Sequence, residues 1–364
     1  MTASGGVAGV DGVDGVGGIG DTGDLGDRLL HHWYALCRSR DLGRRKPLAV
    51  RLFGRRLVAF RADGGRPVAL HDRCLHRQAP LSAGRVCAAR LQCPYHGWEY
   101  DGEGRVVHVP ALGREVAPDA GLRALALPCI EQDGLVWAWP GAGAPDGAPP
   151  RVGTCDEPGW TRFIMKTRFR GTVEACLENF LDCPHATFVH RGWFRSPTGV
   201  PVTARVTSLP DGAQAEYFGE PRRRSVIWAM FSPPAGTLQH VDRFIAPATS
   251  QVDYVFPNRL AYSITSTCSP VEDDAIEVYT VMSFRFRWLG PLVRLFFEPL
   301  SRWIIRQDVR MLDRVAANRA ADAPAARSTE ADLLGESIWR WRAALARGEP
   351  PPAAGVVRDV RIVL

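Results

Sequence analysis

The spacing of apolar residues divides the chain into two halves of different character. In the first half, apolar and polar residues alternate around a turn at Gly54, with glycine and proline between the runs. The alternating runs lie at 47–72, 104–110 and 122–139. Short alternating runs with such breaks are typical of strands in a small all-β domain. We therefore predict an all-β domain over 28–140, followed by a linker at 141–150, which reads GAGAPDGAPP.

The second half, 151–364, predicts longer elements of both kinds. A strand pattern over 161–173 leads into a helical pattern from Val173 to about Phe188. Long alternating segments then fill 200–288, and helical patterns return at 290–320 and 330–347. Strands followed by helices indicate an α+β domain, in which helices cover one face of an antiparallel sheet.

Composition sets limits on the class of protein. The chain has 364 residues, 46% of them apolar and 23% charged, which suits two ordinary globular domains. The apolar segment 288–305 is interrupted by charges and prolines, so we predict a buried amphipathic helix rather than a membrane contact. Residues 1–27 are rich in glycine, hold five Asp and lack Lys and Arg, so we expect a disordered tail and no secretory signal.

The charge and the cysteine content indicate the kind of binding partner and the redox compartment. The net charge of +6 comes from scattered arginines, which suits an acidic protein partner, or simply a soluble surface, better than nucleic acid. Nine cysteines without a secretory signal indicate a reducing compartment, and we predict the cytoplasm.

Two pairs of soft ligands stand out in the first half. Cys74 and His76 form C-x-H, and Cys93 and His96 form C-x-x-H. A structural zinc ion could take two Cys and two His. A Rieske [2Fe–2S] cluster could take them also, with two Cys on one iron and two His on the other. Each pair carries one ligand of each kind, as the Rieske arrangement requires.

The segments CLHRQAPLS and CPYHGWEYDGEGR resemble the two cluster loops of Rieske non-haem iron oxygenases, the aromatic-ring-hydroxylating oxygenase alpha-subunit family. Gln78 departs from the glycine usual in that family. Ala79 and Tyr95 stand where respiratory-chain Rieske proteins carry a further disulfide. The resemblance implies a cluster of low potential, with few polar donors near its sulfurs.

A second constellation lies in ENFLDCPHATFVH. His185 and His190 form H-x4-H, which is weak evidence alone, but the stretch resembles the family's D-x-x-H-x4-H motif for mononuclear iron. That resemblance implies His185 and His190 as ligands of Fe(II), with a late Asp completing the 2-His-1-carboxylate set. We assign Asp308, within RQDVRMLD, and keep Asp313 as its competitor. Gln307 could hydrogen-bond nearby or lie on the surface.

The resemblance also implies an electron path and partners. Asp182 would join His185 to His96 of a neighbouring subunit, which requires a closed oligomer, usually a trimer. Electrons would come from NAD(P)H through a separate reductase and ferredoxin.

The substrate implied is a hydrophobic aromatic or polycyclic small molecule. It would undergo monooxygenation by hydroxylation, demethylation, desaturation or cyclisation, with natural-product biosynthesis as one setting. The alternatives are a catabolic ring dioxygenase or O-demethylase, a Rieske electron-transfer protein, and a zinc-stabilised binding module. The sheet over 200–288 should wall the pocket, and candidate apolar liners are Phe188, Trp193, Trp228, Phe231 and Tyr262.

Overall fold

The computed structural model describes residues 27–116, 121–153, 158–193, 199–220, 238–286, 290–319 and 326–364. The tail expected over 1–27 lies outside these ranges except for Asp27, which begins the first helix.

The N-terminal half consists almost entirely of short strands. In chain order the elements are α1 (Asp27–Leu30), β1 (Tyr34–Arg38), β2 (Leu48–Leu52), β3 (Arg55–Arg61), β4 (Pro67–His71), β5 (Arg85–Cys87), β6 (Arg90–Gln92), β7 (Glu99–Tyr100), β8 (Val106–Val109), β9 (Arg114–Glu115), β10 (Ala126–Leu127), β11 (Cys129–Gln132) and β12 (Leu135–Ala138). They form three antiparallel sheets in the orders β1-β12-β11, β10-β4-β3-β2 and β5-β6-β7-β8-β9. The predicted all-β half is confirmed, although α1 and β1 lie outside the alternating runs.

The C-terminal half is built on one large sheet. Its elements are β13 (Trp160–Arg170), α2 (Val173–Leu181), α3 (His185–Phe188), β14 (Pro201–Leu209), β15 (Gly212–Phe218), β16 (Gln239–Ile245), β17 (Thr249–Val255), β18 (Ala261–Glu272), β19 (Ala275–Arg285), α4 (Gly290–Ala317), α5 (Gly335–Ala346) and β20 (Val357–Val363). The strand order is β13-β19-β18-β17-β16-β15-β14-β20, with every pairing antiparallel. The predicted α+β class is confirmed.

The two halves are held together by hydrogen bonds to main-chain groups. Ser269 Oγ donates to the carbonyl of Ala35 at 2.7 Å, and Tyr279 Oη donates to that of Leu36 at 2.5 Å. Both acceptors lie on β1, and both donors come from the large sheet. Strand β1 therefore joins the first half to the face of the second.

The helical pattern over 173–188 is interrupted, and the interruption shapes the site described below. Thr172 caps α2 through its hydroxyl, which accepts from the amide of Ala175 at 3.3 Å. The helix ends at Leu181, Asp182 is extended, and α3 starts after Pro184. Proline lacks an amide hydrogen and disfavours helical backbone in the residue before it. The sequence predicted a helix loosened at Pro184, and the structure shows a full break that begins at Asp182.

Helix α4 has the amphipathic pattern predicted for 288–305. Its buried positions recur every three or four residues, at Phe297, Ser301, Ile304, Asp308 and Leu312. This face lies towards the large sheet, where the helix packs on β13. Within the described residues, no helix has the length and apolar character needed to cross a membrane.

Candidate metal centres

The first group of ligands sits on two adjacent loops of the N-terminal half. Cys74 and His76 follow β4, and Cys93 and His96 lie between β6 and β7. Both cysteines are buried, whereas His96 is exposed and His76 is half-buried. The two imidazole rings lie 4.6 Å apart, and His76 stacks on Trp98 at 4.8 Å. The thiols therefore point into the domain and the imidazoles towards its surface.

The two loops have the same backbone turn. The amide of Gln78 donates to the carbonyl of Cys74 at 2.8 Å, and the amide of Gly97 donates to that of Cys93 at 3.2 Å. Both donors have positive φ, 59° at Gln78 and 71° at Gly97. Glycine adopts this conformation without a steric penalty, whereas another residue pays about 1–2 kcal/mol. The departure at Gln78 therefore costs free energy but preserves the loop.

One polar donor lies against the sulfur of Cys74. Tyr100 Oη donates to Cys74 Sγ at 3.2 Å and accepts from the amide of Leu75 at 2.9 Å. Tyr100 is fully buried, and burial raises its pKa far above the usual value. The sequence predicted few polar donors near the sulfurs, and the Tyr100 hydroxyl is one such donor.

The second group is a compact triad formed by the α2–α3 segment and α4. His190 Nε2 lies 3.0 Å from Asp308 Oδ1, and His185 Nε2 lies 3.6 Å from the same oxygen. Within the described ranges, this is the set of three ligand atoms that converges closely enough for one ion, all within 4.8 Å of one another. The four loop ligands do not converge in this way, which favours a two-iron cluster over a single zinc ion at the loops.

A different acceptor orients each histidine of the triad. His185 Nδ1 is hydrogen-bonded to the main-chain carbonyl of Asp182, which the end of α2 leaves available. His190 Nδ1 lies 2.8 Å from Gln307 Oε1. With the proton on each Nδ1, both Nε2 lone pairs face Asp308 and are ready for a metal. Gln307 thus lies beside the triad rather than on the surface.

The electrostatics of the triad also fit a cation. Burial raises the pKa of Asp308, but the adjacent His185 and His190 outweigh it and hold that pKa at about 2. For His185, burial lowers the pKa, and the Asp308 carboxylate outweighs it, so the net pKa is raised. Asp308 Oδ1 is buried and accepts no well-oriented hydrogen bond, although His190 Nε2 is near. A buried anionic oxygen facing two imidazole nitrogens matches the donor set of an Fe(II) site.

Two other aspartates named from the sequence take different positions. Asp182 contributes its main-chain carbonyl to His185, and burial raises the pKa of its carboxyl group. Its side chain lines the cavity beside the triad. Asp313 is half-buried on α4, outside the group of converging ligand atoms.

The triad lies on the wall of a cavity of about 120 Å³. Strands β16–β19 supply much of the opposite wall, including Val252, Ile264 and Met282. Of the five apolar liners predicted, Tyr262 lies in the wall. Phe188 is 77% exposed, and Trp193 packs on Trp303 at 5.0 Å instead. Trp228 and Phe231 lie outside the described residues.

A polar cluster in the same wall was not predicted. His240 and Asp242, both on β16, are buried side by side, and Glu220 lies against the same imidazole. The available signal was weak: two polar residues at i and i+2 share one face of a strand, but no motif marks them.

Comparison with known proteins matches both halves of the chain. The "Rieske [2Fe-2S] domain" family matches residues 32–130, and the "Vanillate O-demethylase oxygenase C-terminal domain" family matches residues 169–348. The methylxanthine N3-demethylase NdmB of Pseudomonas putida is 32% identical, over 70% of this chain and 73% of its own. The crystal structure of dicamba monooxygenase bound to dicamba superposes with a TM-score of 0.78 and 25% identity, over 88% of this chain and 98% of its own.

Longer relatives match as well. The chloroplastic chlorophyllide a oxygenase of Oryza sativa subsp. japonica is 26% identical over 86% of this chain, which spans 54% of that protein. The chain thus spans about half the length of such curated relatives. Two matched domain families, a similar fold and a relative matched over most of its length agree. The chain belongs to the Rieske oxygenase family.

Proposed function

We propose that this chain is the oxygenase component of a system that uses O2 to oxidise a hydrophobic small molecule. The observation that carries the proposal is the convergence of His185, His190 and Asp308 on the wall of a cavity, in a chain that also bears both Rieske loops. A Rieske electron-transfer protein would have no use for that triad.

The assignment of ligands follows the side chains that lie together. Cys74, His76, Cys93 and His96 would hold the [2Fe–2S] cluster, and the triad would hold Fe(II). When bound, that iron would supply the activation of O2 with electrons received from the cluster. The chain itself contributes hydrogen-bonded histidines, a carboxylate held ionised, and a cavity wall that includes apolar side chains.

Electrons would come from NAD(P)H through a separate reductase and ferredoxin. His96 is exposed and Tyr95 is 65% exposed, which supports contact of this loop with the surface of another protein. We propose a homotrimer, in which Asp182 joins the two sites: its main-chain carbonyl holds His185, and its carboxyl group would contact His96 of the adjacent subunit. Burial of Asp182 in the cavity wall beside His185 supports a position on that path.

The substrate would be an aromatic or polycyclic molecule, and its oxidation a monooxygenation. The relatives NdmB and dicamba O-demethylase are named as demethylases, and the C-terminal match is to a vanillate O-demethylase family. These names favour removal of a methyl group as the second candidate reaction beside hydroxylation. The apolar side chains lining the cavity suit such a molecule.

We also propose a reducing compartment, the cytoplasm. Cys37 and Cys129 are thiols, and burial raises the pKa of each to about 12. Such groups remain protonated and unreactive.

The test is the substitution His185→Ala, with His108→Ala as the control. Wild-type protein reconstituted without air should contain about three irons per chain, two in the cluster and one in the triad. His185→Ala should keep the cluster absorption, lose about one iron, and lose the electron paramagnetic resonance signal of a ferrous nitrosyl complex. His108 lies outside both ligand sets, so His108→Ala should behave as wild type. Full iron content and an unchanged nitrosyl signal in His185→Ala would refute the assignment.

A further inference from the structure

Helix α4 buries one face and exposes the opposite one. The buried positions, from Phe297 to Leu312, recur every three or four residues and lie towards the large sheet. On a helix of 3.6 residues per turn, a second series with the same spacing lies on the opposite side, and we call it the outer face of α4. Its members are all exposed: Leu292, Leu295, Phe296, Pro299, Trp303, Arg306, Arg310 and Arg314.

The first half of the outer face is apolar. Leu292 is 57% exposed, Leu295 is 66% exposed and Phe296 is 68% exposed. Trp303 follows on the same side, is 42% exposed and packs against Trp193 at 5.0 Å. From Leu292 to Trp303 the apolar stretch is about 16 Å long. Single exposed apolar residues are ordinary on a protein surface, whereas a contiguous group of them marks an interaction surface.

The second half of the outer face is cationic. Arg306, Arg310 and Arg314 follow Trp303 at intervals of three or four residues, and all three are exposed. They span about 12 Å of the helix on one side. Asp313 lies beside them and is half-buried. Three guanidinium groups on one face can bind phosphate groups that lie in a plane, because each presents several N–H donors.

The order of these side chains matches the layers of a lipid bilayer surface. Leu and Phe are favoured among acyl chains, Trp where the acyl chains meet the headgroups, and Arg beside lipid phosphate. The same three classes follow in that order along the outer face, from Leu292 through Trp303 to Arg314. A helix tilted with its N-terminal end inserted would place each class at its preferred depth. A protein partner could also cover this face, but it would not require that order.

We propose that the outer face of α4 docks on the surface of a membrane that contains anionic lipids. The apolar half of the face enters the layer between headgroups and acyl chains, and the three arginines bind lipid phosphate. The attachment is peripheral, since no helix among the described residues has the length and apolar character to span a bilayer. The inference goes beyond the proposed function, and the docking itself does not depend on the reaction.

Docking at this face brings the membrane close to the cavity. Ser301, Ile304 and Asp308 lie on the buried face of α4 and line the cavity that holds the triad. A helix with its side chains is about 10 Å across, so this wall lies about one helix diameter from the docked surface. A hydrophobic substrate dissolved in the lipid would therefore be concentrated beside the site, a consequence that rests on the proposed function.

The test measures binding of the iron-loaded holoprotein to lipid vesicles by flotation in a density gradient. Vesicles of phosphatidylcholine and phosphatidylglycerol in equal amounts are compared with vesicles of phosphatidylcholine alone. The protein should bind the anionic vesicles at least about tenfold more tightly, since each arginine near an anionic surface contributes about fivefold. Added salt should weaken this binding. No flotation with the anionic vesicles, or equal binding to both kinds, would overturn the proposal.

A first pair of variants tests the apolar half. Leu295→Ser/Phe296→Ser should weaken binding to the anionic vesicles at least about tenfold, because it removes apolar surface that enters the bilayer. The control Val356→Ser/Val357→Ser replaces an adjacent pair that is 59% and 55% exposed. That pair lies at β20, which is at the opposite edge of the large sheet from β13, where α4 packs. The control should bind as wild type does, and an equal loss in both would show that α4 is not the contact.

A second pair tests the cationic half. Arg306→Gln/Arg310→Gln should weaken binding to the anionic vesicles about fivefold for each arginine removed and should reduce the effect of salt. Arg340→Gln is the control, because Arg340 is 70% exposed but lies on α5. Unchanged affinity and salt dependence in the double variant would contradict contact with lipid phosphate. This pair and the comparison of vesicles on wild-type protein still decide if the double serine variant does not fold.

Sedimentation velocity separates a membrane from a second copy of the chain. The proposal expects one oligomer size for wild type and for Leu295→Ser/Phe296→Ser. Dissociation of the oligomer by that variant would assign the outer face to a neighbouring subunit and overturn the proposal. The cluster spectrum and the iron content of each variant report folding separately from vesicle binding. Either result at the membrane therefore leaves the assignment of the triad intact.

Discussion

At the scale of single residues, Cys74 and His190 are each held by a hydrogen bond with a side chain from another part of the fold. Gln307 accepts from His190, and Tyr100 donates to Cys74. These partners come from other elements than the residues they contact, so motif spacing alone does not reveal them. The ligands themselves stand in recognisable patterns, because two ligands on one loop must be close in sequence.

Replacing Tyr100 with Phe should lower the reduction potential of the cluster. The hydroxyl donates to Cys74 Sγ and so stabilises the extra negative charge of the reduced cluster. A hydrogen bond of about 1 kcal/mol corresponds to about 40 mV in a one-electron couple. Potentiometric titration followed by absorption measures the shift. Tyr95→Phe is the control, because Tyr95 is exposed, and an equal shift in both variants would show that the Cys74 contact is not the cause.

At the scale of elements, one ion pair joins the helix before the triad to the last helix of the chain. Glu174 on α2 bonds Arg342 on α5, and Arg342 also donates to the carbonyl of Pro247 at 2.9 Å. The two side chains are 15% and 6% exposed. Removing one partner of a buried pair leaves the other charge uncompensated. The pair therefore fixes α2, and with it the start of the ligand segment.

Glu174→Gln should destabilise the protein by about 3 kcal/mol at neutral pH. Glu336→Gln breaks a surface pair on α5 and should cost under about 1 kcal/mol. Burial raises the pKa of Glu174, but Arg342 outweighs it and the net pKa is lowered. The stabilisation is thus present above the usual glutamate pKa of about 4.3 and is lost as pH falls through the lower folded value. Denaturant unfolding of wild type and variant should converge below that pH, and a constant difference would contradict the ion-pair explanation.

The spacing of apolar residues was sufficient to predict the large sheet, where they alternate, and α4, where they recur every three or four residues, because each element buries one face. It was insufficient at Asp182–Pro184, where a local backbone preference overrides the helical pattern. It was also insufficient for Glu220, His240 and Asp242. Their contacts depend on strand pairing: β15 pairs with β16, and Glu220, just after β15, thereby lies against His240, beside Asp242. No single segment of sequence contains that information.

At the scale of the whole molecule, the two sets of ligands occupy different halves of the chain. Cys74, His76, Cys93 and His96 belong to the small sheets, and the triad lies against the large one. The half that would receive electrons is thus separate from the half that would use them. Whether electrons pass within one chain or between neighbouring chains depends on how the subunits assemble.

Mixed oligomers test the proposed path between subunits. His96→Ala should disable the cluster and leave the triad, whereas His185→Ala does the opposite. Neither variant alone should carry electrons from cluster to triad. Trimers purified through a different tag on each variant should recover about a third of wild-type cluster reoxidation by O2, since every mixed ring of three has one productive pair of neighbours out of three. No recovery in a confirmed mixed oligomer would place the path within one chain.

At Asp182, in the break between α2 and α3, the main chain and the side chain have different roles. The atom that aligns the His185 ring is a peptide oxygen, and every amino acid at position 182 would supply it. Mutagenesis there changes only the carboxylate and spares the anchor of the ring. A kinetic defect after Asp182→Asn can therefore be read as interrupted conduction rather than a misaligned ligand.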